Sequence, residues 1–219
     1  MSSRSGNSQQ PTTDNCQLPS LRDGRIGIFG GTFDPIHLGH LILAEEAFEK
    51  LKLDQLIFIP AKISPYKTNL PPAAPAEDRV SMIKLAIAGR EGWQVDTREL
   101  LREGPSFTID TVKELRQEHQ GTTFFLLIGQ DQLAGLAGWK EIEKLKKLVS
   151  FVVLSRIHRG QSRYPDADSI AVNHCDRCID ISSTEIRERL AKNKKVDYLL
   201  PKNIHDYIKT KSLYQKSDS

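Results

Sequence analysis

The sequence predicts an α/β protein, a parallel sheet with helices on both faces. Short apolar runs alternate along the chain with longer segments of helical period. The first apolar run ends in Gly30-Gly31 and passes directly into a helical segment, the strand-turn-helix order of a βα unit. No apolar run approaches the ~18 residues of a membrane span, so the sheet is expected in a water-soluble, cytoplasmic chain without a membrane partner.

The elements follow in order. Residues 1–20 hold only Met1, Cys16 and Leu18 as apolar side chains, too few to offset the entropy of ordering, and read as a disordered tail. The tail lacks the apolar core of a secretory signal; it is Ser-rich and acid-poor like a transit peptide, but has one Arg and no amphipathic pattern. Arg25-Ile26-Gly27-Ile28-Phe29 reads as a buried strand, and apolar residues at 38, 41, 42, 44, 47, 48 and 51 place a helix over Leu38–Leu51. A second strand, Gln55–Pro60, ends in proline and leads into a Pro-rich loop, 61–76, containing Lys62 and Lys67. A helix over Glu77–Arg90 and a short strand at Trp93–Asp96 come next. Gly104-Pro105 introduces a helix over Phe107–Gln117, and Thr123–Ile128 is a strongly apolar strand closed by Gly129. Trp139–Leu148 reads as an amphipathic helix and Ser150–Leu154 as a strand. Residues 155–180 are irregular, with a strand at Ile170–Val172, and helices over Thr184–Lys192 and Ile204–Lys211 end the pattern. One domain over 21–215 with a short tail, 216–219, is the expected organisation.

Composition narrows the function. The 31 Lys and Arg against 28 Asp and Glu leave a net charge of +3, enough to accept an anionic small molecule and too little for a nucleic-acid partner. Three cysteines exclude a disulfide scaffold.

The most informative stretch is Gly30-Gly31-Thr32-Phe33-Asp34-Pro35-Ile36-His37-Leu38-Gly39-His40. It lies at the carboxyl end of the first strand, where parallel sheets bind ligands. Two glycines let backbone N–H groups approach a phosphate, and Gly39 lets the helix start pack closely. His37 and His40, three apart, share one face of the first helical turn at its positive end. No Gly-Lys-Ser/Thr follows, so this is not a P-loop, and two histidines lack the third ligand of a zinc site. A plain cap with two surface histidines is the competing reading; the combination of glycines, Thr, Asp-Pro and paired His favours a phosphate site. A second anion site is Ser182-Ser183-Thr184-Glu185-Ile186-Arg187, where Ser182 and Glu185 have capping-box spacing. An ordinary capped helix explains that segment equally well.

The first string resembles the signature of nucleotidyltransferases with a His-x-Gly-His element. Leu100-Leu101-Arg102-Glu103-Gly104-Pro105-Ser106-Phe107-Thr108 with Thr111-Val112-Lys113-Glu114-Leu115 extends the match. So do Ile128-Gly129-Gln130-Asp131 with Trp139 downstream, Ile181 to Arg187, and Leu199-Leu200-Pro201. Together, from about Arg25 to Tyr214, they resemble the bacterial nicotinate-nucleotide adenylyltransferases, which have a Rossmann-like fold. The resemblance implies transfer of AMP from ATP, with Mg²⁺ on its phosphates and no metal held by the protein, to nicotinate mononucleotide. The products are nicotinate adenine dinucleotide and pyrophosphate, a step of NAD synthesis.

By the same resemblance His37, His40, Lys67 and Arg187 act on the reacting phosphates. Gly30, Gly31, Thr32, Phe33, Asp131, Arg156 and Ser183 complete the ATP site, Asp131 at ribose hydroxyls and Arg156 on the adenine side. Thr108, Trp139 and Lys67 take the acceptor. Trp139 stacks on the pyridinium, worth ~0.5–2 kcal/mol, and Thr108 reads the carboxylate. The plain alternatives are a core tryptophan on an amphipathic helix, a helix-start hydroxyl for Thr108 and an N-cap for Asp131.

The chain departs from the family pattern in places. Ser64-Pro65-Tyr66-Lys67 stands where Pro-Pro-His-Lys is usual, Asp78 where a His often precedes the Arg, and Ile157-His158-Arg159-Gly160 where Pro-Gly follows the fifth strand. Cys175-x-x-Cys178, with His174 and His158 nearby, has metal or redox spacing but no second pair, and reads as incidental thiols. Rival functions are adenylyl transfer to nicotinamide mononucleotide or phosphopantetheine, and a non-catalytic adenine-nucleotide module. A homo-oligomer is left open.

Overall fold

In a computed structural model, residues 24–63, 71–154, 172–174 and 179–215 are described. The tails 1–20 and 216–219, Lys67, Arg156, His158, Cys175 and Cys178 lie outside those residues. Six parallel strands form one sheet: β1 Arg25–Gly31, β2 Gln55–Pro60, β3 Trp93–Val95, β4 Thr123–Gly129, β5 Ser150–Leu154 and β6 Val172–His174. Their order is β3-β2-β1-β4-β5-β6, the doubly wound arrangement expected from the alternating elements. Ile28 of β1 sits level with Ile57 of β2 and Leu126 of β4, fixing the register at the sheet centre.

The period of two along each strand divides the interior in two. Phe29, Leu56, Phe58, Phe125, Leu127, Val152 and Leu154 point to one face. There they meet α1 (Leu38–Lys50), α2 (Ala76–Ile87), α6 (Ser183–Ala191) and α7 (Lys202–Thr210). Ile26, Ile28, Ile57, Ile59, Phe124, Leu126, Ile128, Phe151 and Val153 point to the other. That face is covered by α4 (Thr108–Glu118), a 3₁₀ helix (Gln130–Gly138) and α5 (Ile142–Leu148). The sheet is buried on both faces, which is why its strands read as continuous apolar runs.

Three expectations are corrected. The helix expected from Trp139 starts at Ile142, because Gln130–Gly138 is a 3₁₀ helix, Trp139 closes it, and Glu141 turns the chain in the left-handed region at φ 52°. Leu133 and Leu136, three apart and both buried, line up where side chains of a 3₁₀ helix eclipse. A short helix, α3 (Arg98–Leu101), stands where none was expected. The last strand lies at Val172–His174, two residues beyond the expected Ile170–Val172. No described helix is long and apolar enough to cross a membrane.

β1 and β4 are neighbours, yet the chain leaves β1 toward α1 on one face and β4 toward the 3₁₀ helix on the other. A crevice therefore opens between their carboxyl ends, Gly31 and Gly129. Phe58, 0% exposed, supports this region from below, its ring 5.6 Å from Phe29, 5.8 Å from Phe33 and 5.2 Å from Trp93. Phe58→Ala is expected to destabilise the fold by about 3–5 kcal/mol, measured by urea unfolding.

Candidate active site

A cavity of about 600 Å³ occupies the crevice. Its floor is the turn from β1 to α1. Phe33 adopts φ 48°, reversing the chain so that its ring covers Gly31, where a Cβ would lie 3.1 Å from it. His37 is the N-cap of α1 and His40 the third helical residue. Each imidazole caps the other's backbone: His37 Nδ1 accepts from the His40 N–H and His40 Nδ1 from the His37 N–H, both at 3.3 Å. This is a capping box built from two histidines rather than Ser and Glu. Since both Nδ1 atoms accept, the hydrogen-bond pattern puts the proton of a neutral ring on Nε2. The rings stack 3.7 Å apart at 24°, and Phe33 meets His40 edge-on at 5.1 Å. Gly39 between them leaves room for this, since a Cβ there would lie 3.1 Å from His37 Nδ1.

The carbonyl oxygens of the turn are held by side chains from distant elements. Arg79 of α2 donates to Thr32 O at 2.6 Å, Arg187 of α6 to Asp34 O at 2.7 Å, and the Ser183 hydroxyl to Pro35 O at 2.9 Å. Fixing the Thr32 carbonyl also fixes the Phe33 N–H, which points the opposite way across the same planar peptide. The buried Asp34 carboxylate accepts from the Ala73 N–H at 2.7 Å, the Ala74 N–H at 3.0 Å and the Tyr214 hydroxyl at 2.8 Å. Burial lowers the pKa of the Arg79 guanidinium, and the opposing charge of Asp34 works against that. Burial and the Asp34 charge push the Tyr214 hydroxyl far above its ordinary range, keeping it a donor.

The opposite wall comes from the other face of the sheet. Thr108 opens α4, and half-buried Trp139 follows the 3₁₀ helix. Beneath them Glu99 is buried, with the Thr111 hydroxyl on its carboxylate at 2.7 Å and Arg102 on Thr111 Oγ1 at 3.1 Å. Burial raises the Glu99 pKa, while the Thr111 and Ser106 hydroxyls and Arg102 pull it down. The Ser106 hydroxyl accepts from the Lys62 N–H at 3.0 Å, tying this loop to the end of β2. Lys140 lies 4.5 Å over the Phe107 ring and 2.8 Å from Asp110.

Gly30, Gly31, Thr32, Phe33, His37 and His40 thus share one cavity with Ser183 and Arg187 on one side and Thr108, Asp131 and Trp139 on the other. Lys67 and Arg156 are not among the described residues. Ser182 caps α6 by accepting from the Glu185 N–H at 3.1 Å. Ser183 and Arg187, expected at phosphates, hold turn carbonyls here. Trp139 stands outside any α-helix, packed partly on the second apolar cluster. Sequence reasoning gave no site role to Arg79, Glu99 or Tyr214, and took Asp34 only as part of the Asp-Pro turn. Asp34 lies within the turn motif and Arg79 in the helix after the Pro-rich loop, and nothing local links either one to the other or to Tyr214. The Asp78 departure has a partner: it accepts from the Tyr207 hydroxyl at 2.8 Å, with Lys211 at 3.8 Å. Among the described residues no group of three or more His, Cys, Asp or Glu is placed to hold a metal ion.

Residues 28–189 match the cytidylyltransferase-like family. A Shouchella clausii protein named "probable nicotinate-nucleotide adenylyltransferase" is 41% identical over 190 residues, covering 87% of this chain and 96% of that one. A Geobacillus thermodenitrificans protein of the same name is 41% identical over 192 residues, covering 87% and 86%. The fold is similar to that of Plasmodium falciparum nicotinic acid mononucleotide adenylyltransferase complexed with NaAD, with a TM-score of 0.72 at 21% identity, covering 87% and 97%.

The histidine cap has a separable structural part. His37→Ala is expected to cost about 1 kcal/mol of stability and His37→Asn, which retains a capping acceptor, only a few tenths, both read by urea unfolding.

Proposed function

The chain belongs to the nicotinate-nucleotide adenylyltransferases of the cytidylyltransferase-like family, and on that ground we propose that it transfers AMP from ATP to nicotinate mononucleotide. The products are nicotinate adenine dinucleotide and pyrophosphate, and the reaction belongs to NAD synthesis. The observation that supports this best is the reciprocal histidine cap, facing one cavity with Thr108 and Trp139.

The nucleophile is a phosphate oxygen of the mononucleotide, already ionised at neutral pH, so no general base is required. It bonds to the α-phosphorus of ATP as the bond from that phosphorus to the bridging oxygen breaks, and the electron pair leaves with pyrophosphate. Catalysis then consists of in-line positioning and stabilisation of shifting negative charge. In this reading His37 and His40 contact the reacting phosphates, and Gly30, Gly31, Thr32 and Phe33 line the nucleotide. Arg187 has five N–H donors, more than its bonds to Asp34 O and Thr184 Oγ1 require, and takes the triphosphate with Ser183. Lys67 adds a cation at the phosphates, Arg156 borders the adenine and Asp131 takes ribose hydroxyls. Mg²⁺ enters as the MgATP complex, neutralising the departing pyrophosphate. Trp139 stacks on the pyridinium ring and Thr108 donates to its carboxylate.

Pyrophosphate release with MgATP and each of nicotinate mononucleotide, nicotinamide mononucleotide and phosphopantetheine tests the reading. Turnover is expected with the nicotinate acceptor, and no turnover with any of the three overturns adenylyl transfer to them. His40→Ala is expected to lower kcat about 10²-fold or more with smaller effects on KM; an unchanged kcat removes the assigned role.

Acceptor choice has its own test. Stacking and phosphate contacts treat both mononucleotides alike, so the carboxylate decides, and an amide would set its own N–H₂ against donors. A kcat/KM preference of at least ~10² for the nicotinate form is expected, roughly 2.7 kcal/mol. Thr108→Val should shrink that ratio and leave the KM for ATP unchanged, measured by the same assay.

A further inference from the structure

The turn that carries both histidines is anchored from the far end of the described chain. Beyond α7 the backbone enters the left-handed region at Ser212 (φ 52°) and again at Tyr214 (φ 62°). A bulky residue held there is strained, and such strain persists where surrounding contacts over-determine it. The contact at this point is the Tyr214 hydroxyl on Asp34 Oδ1, 2.8 Å away across 180 positions of sequence.

The Asp34 carboxylate has about four acceptor sites. Oδ1 takes the Ala74 N–H and Tyr214, and Oδ2 takes the Ala73 N–H with Arg187 Nη1 at 3.9 Å. Two of these donors are backbone and fixed. Arg187, with 31% of its side chain exposed, is the charged one, and its Nη1 is hydrogen-bonded to the Asp34 carbonyl.

We propose that Tyr214 is a positioning residue for the nucleotide: by satisfying Asp34 Oδ1 it keeps Arg187 Nη1 hydrogen-bonded to the Asp34 carbonyl, at ion-pair rather than hydrogen-bond distance from the carboxylate, and the turn 32–35 in its anion-accepting form. Without the hydroxyl, a carboxylate only 4% exposed is one donor short. Arg187 then closes the remaining gap, withdraws its charge from the cavity and releases the Asp34 carbonyl. The inference rests on reading the cavity as a nucleotide site, and it assigns the effect to the ATP side alone, because Thr108 and Trp139 stand on the other face of the sheet.

Tyr214→Phe keeps the ring, which packs on the first apolar cluster, and removes only the oxygen. Tyr207→Phe is the control, since it breaks an equivalent phenol–carboxylate bond, to Asp78, that does not reach the turn. For Tyr214→Phe, titration calorimetry with MgATP in the absence of acceptor is expected to show a Kd raised about tenfold. The KM for ATP should rise in parallel and the KM for the acceptor stay within twofold. Tyr207→Phe should leave both substrates within twofold, with a comparable loss of stability. MgATP affinity within twofold of wild type in Tyr214→Phe overturns the proposal, as does equal weakening toward both substrates or no binding of MgATP by the wild-type protein. A wild-type protein that binds MgATP but releases no pyrophosphate refutes the enzymatic reading, while the calorimetric comparison still decides the role of Tyr214.

Discussion

A turn at the floor of a cavity directs carbonyl oxygens into the protein, and each of them, once buried, needs a donor from somewhere else. In this protein that constraint organises the chain around the β1–α1 turn. Thr32, Asp34 and Pro35 direct their carbonyls at Arg79, Arg187 and Ser183, which come from α2 and α6. Those helices pack on one face of the sheet with α1, so the docking of the face and the dipoles of the turn are settled together.

The same arrangement explains how charges survive beneath the cavity. Arg79 is 1% exposed and Asp34 is 4% exposed, and either alone would carry a desolvation penalty of several kcal/mol. Arg79 donates to the Thr32 carbonyl and faces the Asp34 charge, while Tyr214 and two backbone N–H groups complete the carboxylate. His37, 1% exposed, is as deeply buried as Arg79. The reciprocal cap of His37 and His40 satisfies two helix-start N–H groups through their Nδ1 atoms.

The sheet was legible from sequence because β1, β2, β4 and β5 are buried on both sides and therefore apolar at nearly every position. The β1–α1 turn was legible because its interactions are local: Gly31, His37, Gly39 and His40 meet within one short segment. Ser183 and Arg187 were recognisable at a helix start, but that position does not reveal which group they face, and the turn's carbonyls take them here. The 3₁₀ helix was hidden because a Leu133–Leu136 spacing fits an α-helix as well. Tyr214 was out of reach for a different reason, since its partner is a tertiary contact with no periodicity or spacing to announce it.

The alternation of side chains across the sheet also separates the two walls of the cavity. His37, His40, Ser183 and Arg187 belong to elements seated on Phe29, Leu56, Phe58 and Leu127, whereas Thr108, Asp131 and Trp139 belong to elements seated on Ile26, Ile57, Leu126 and Ile128. Neighbouring positions on one strand thus support opposite walls. A substitution beneath one wall therefore repacks side chains that the sheet separates from those beneath the other, so the two walls can be altered independently.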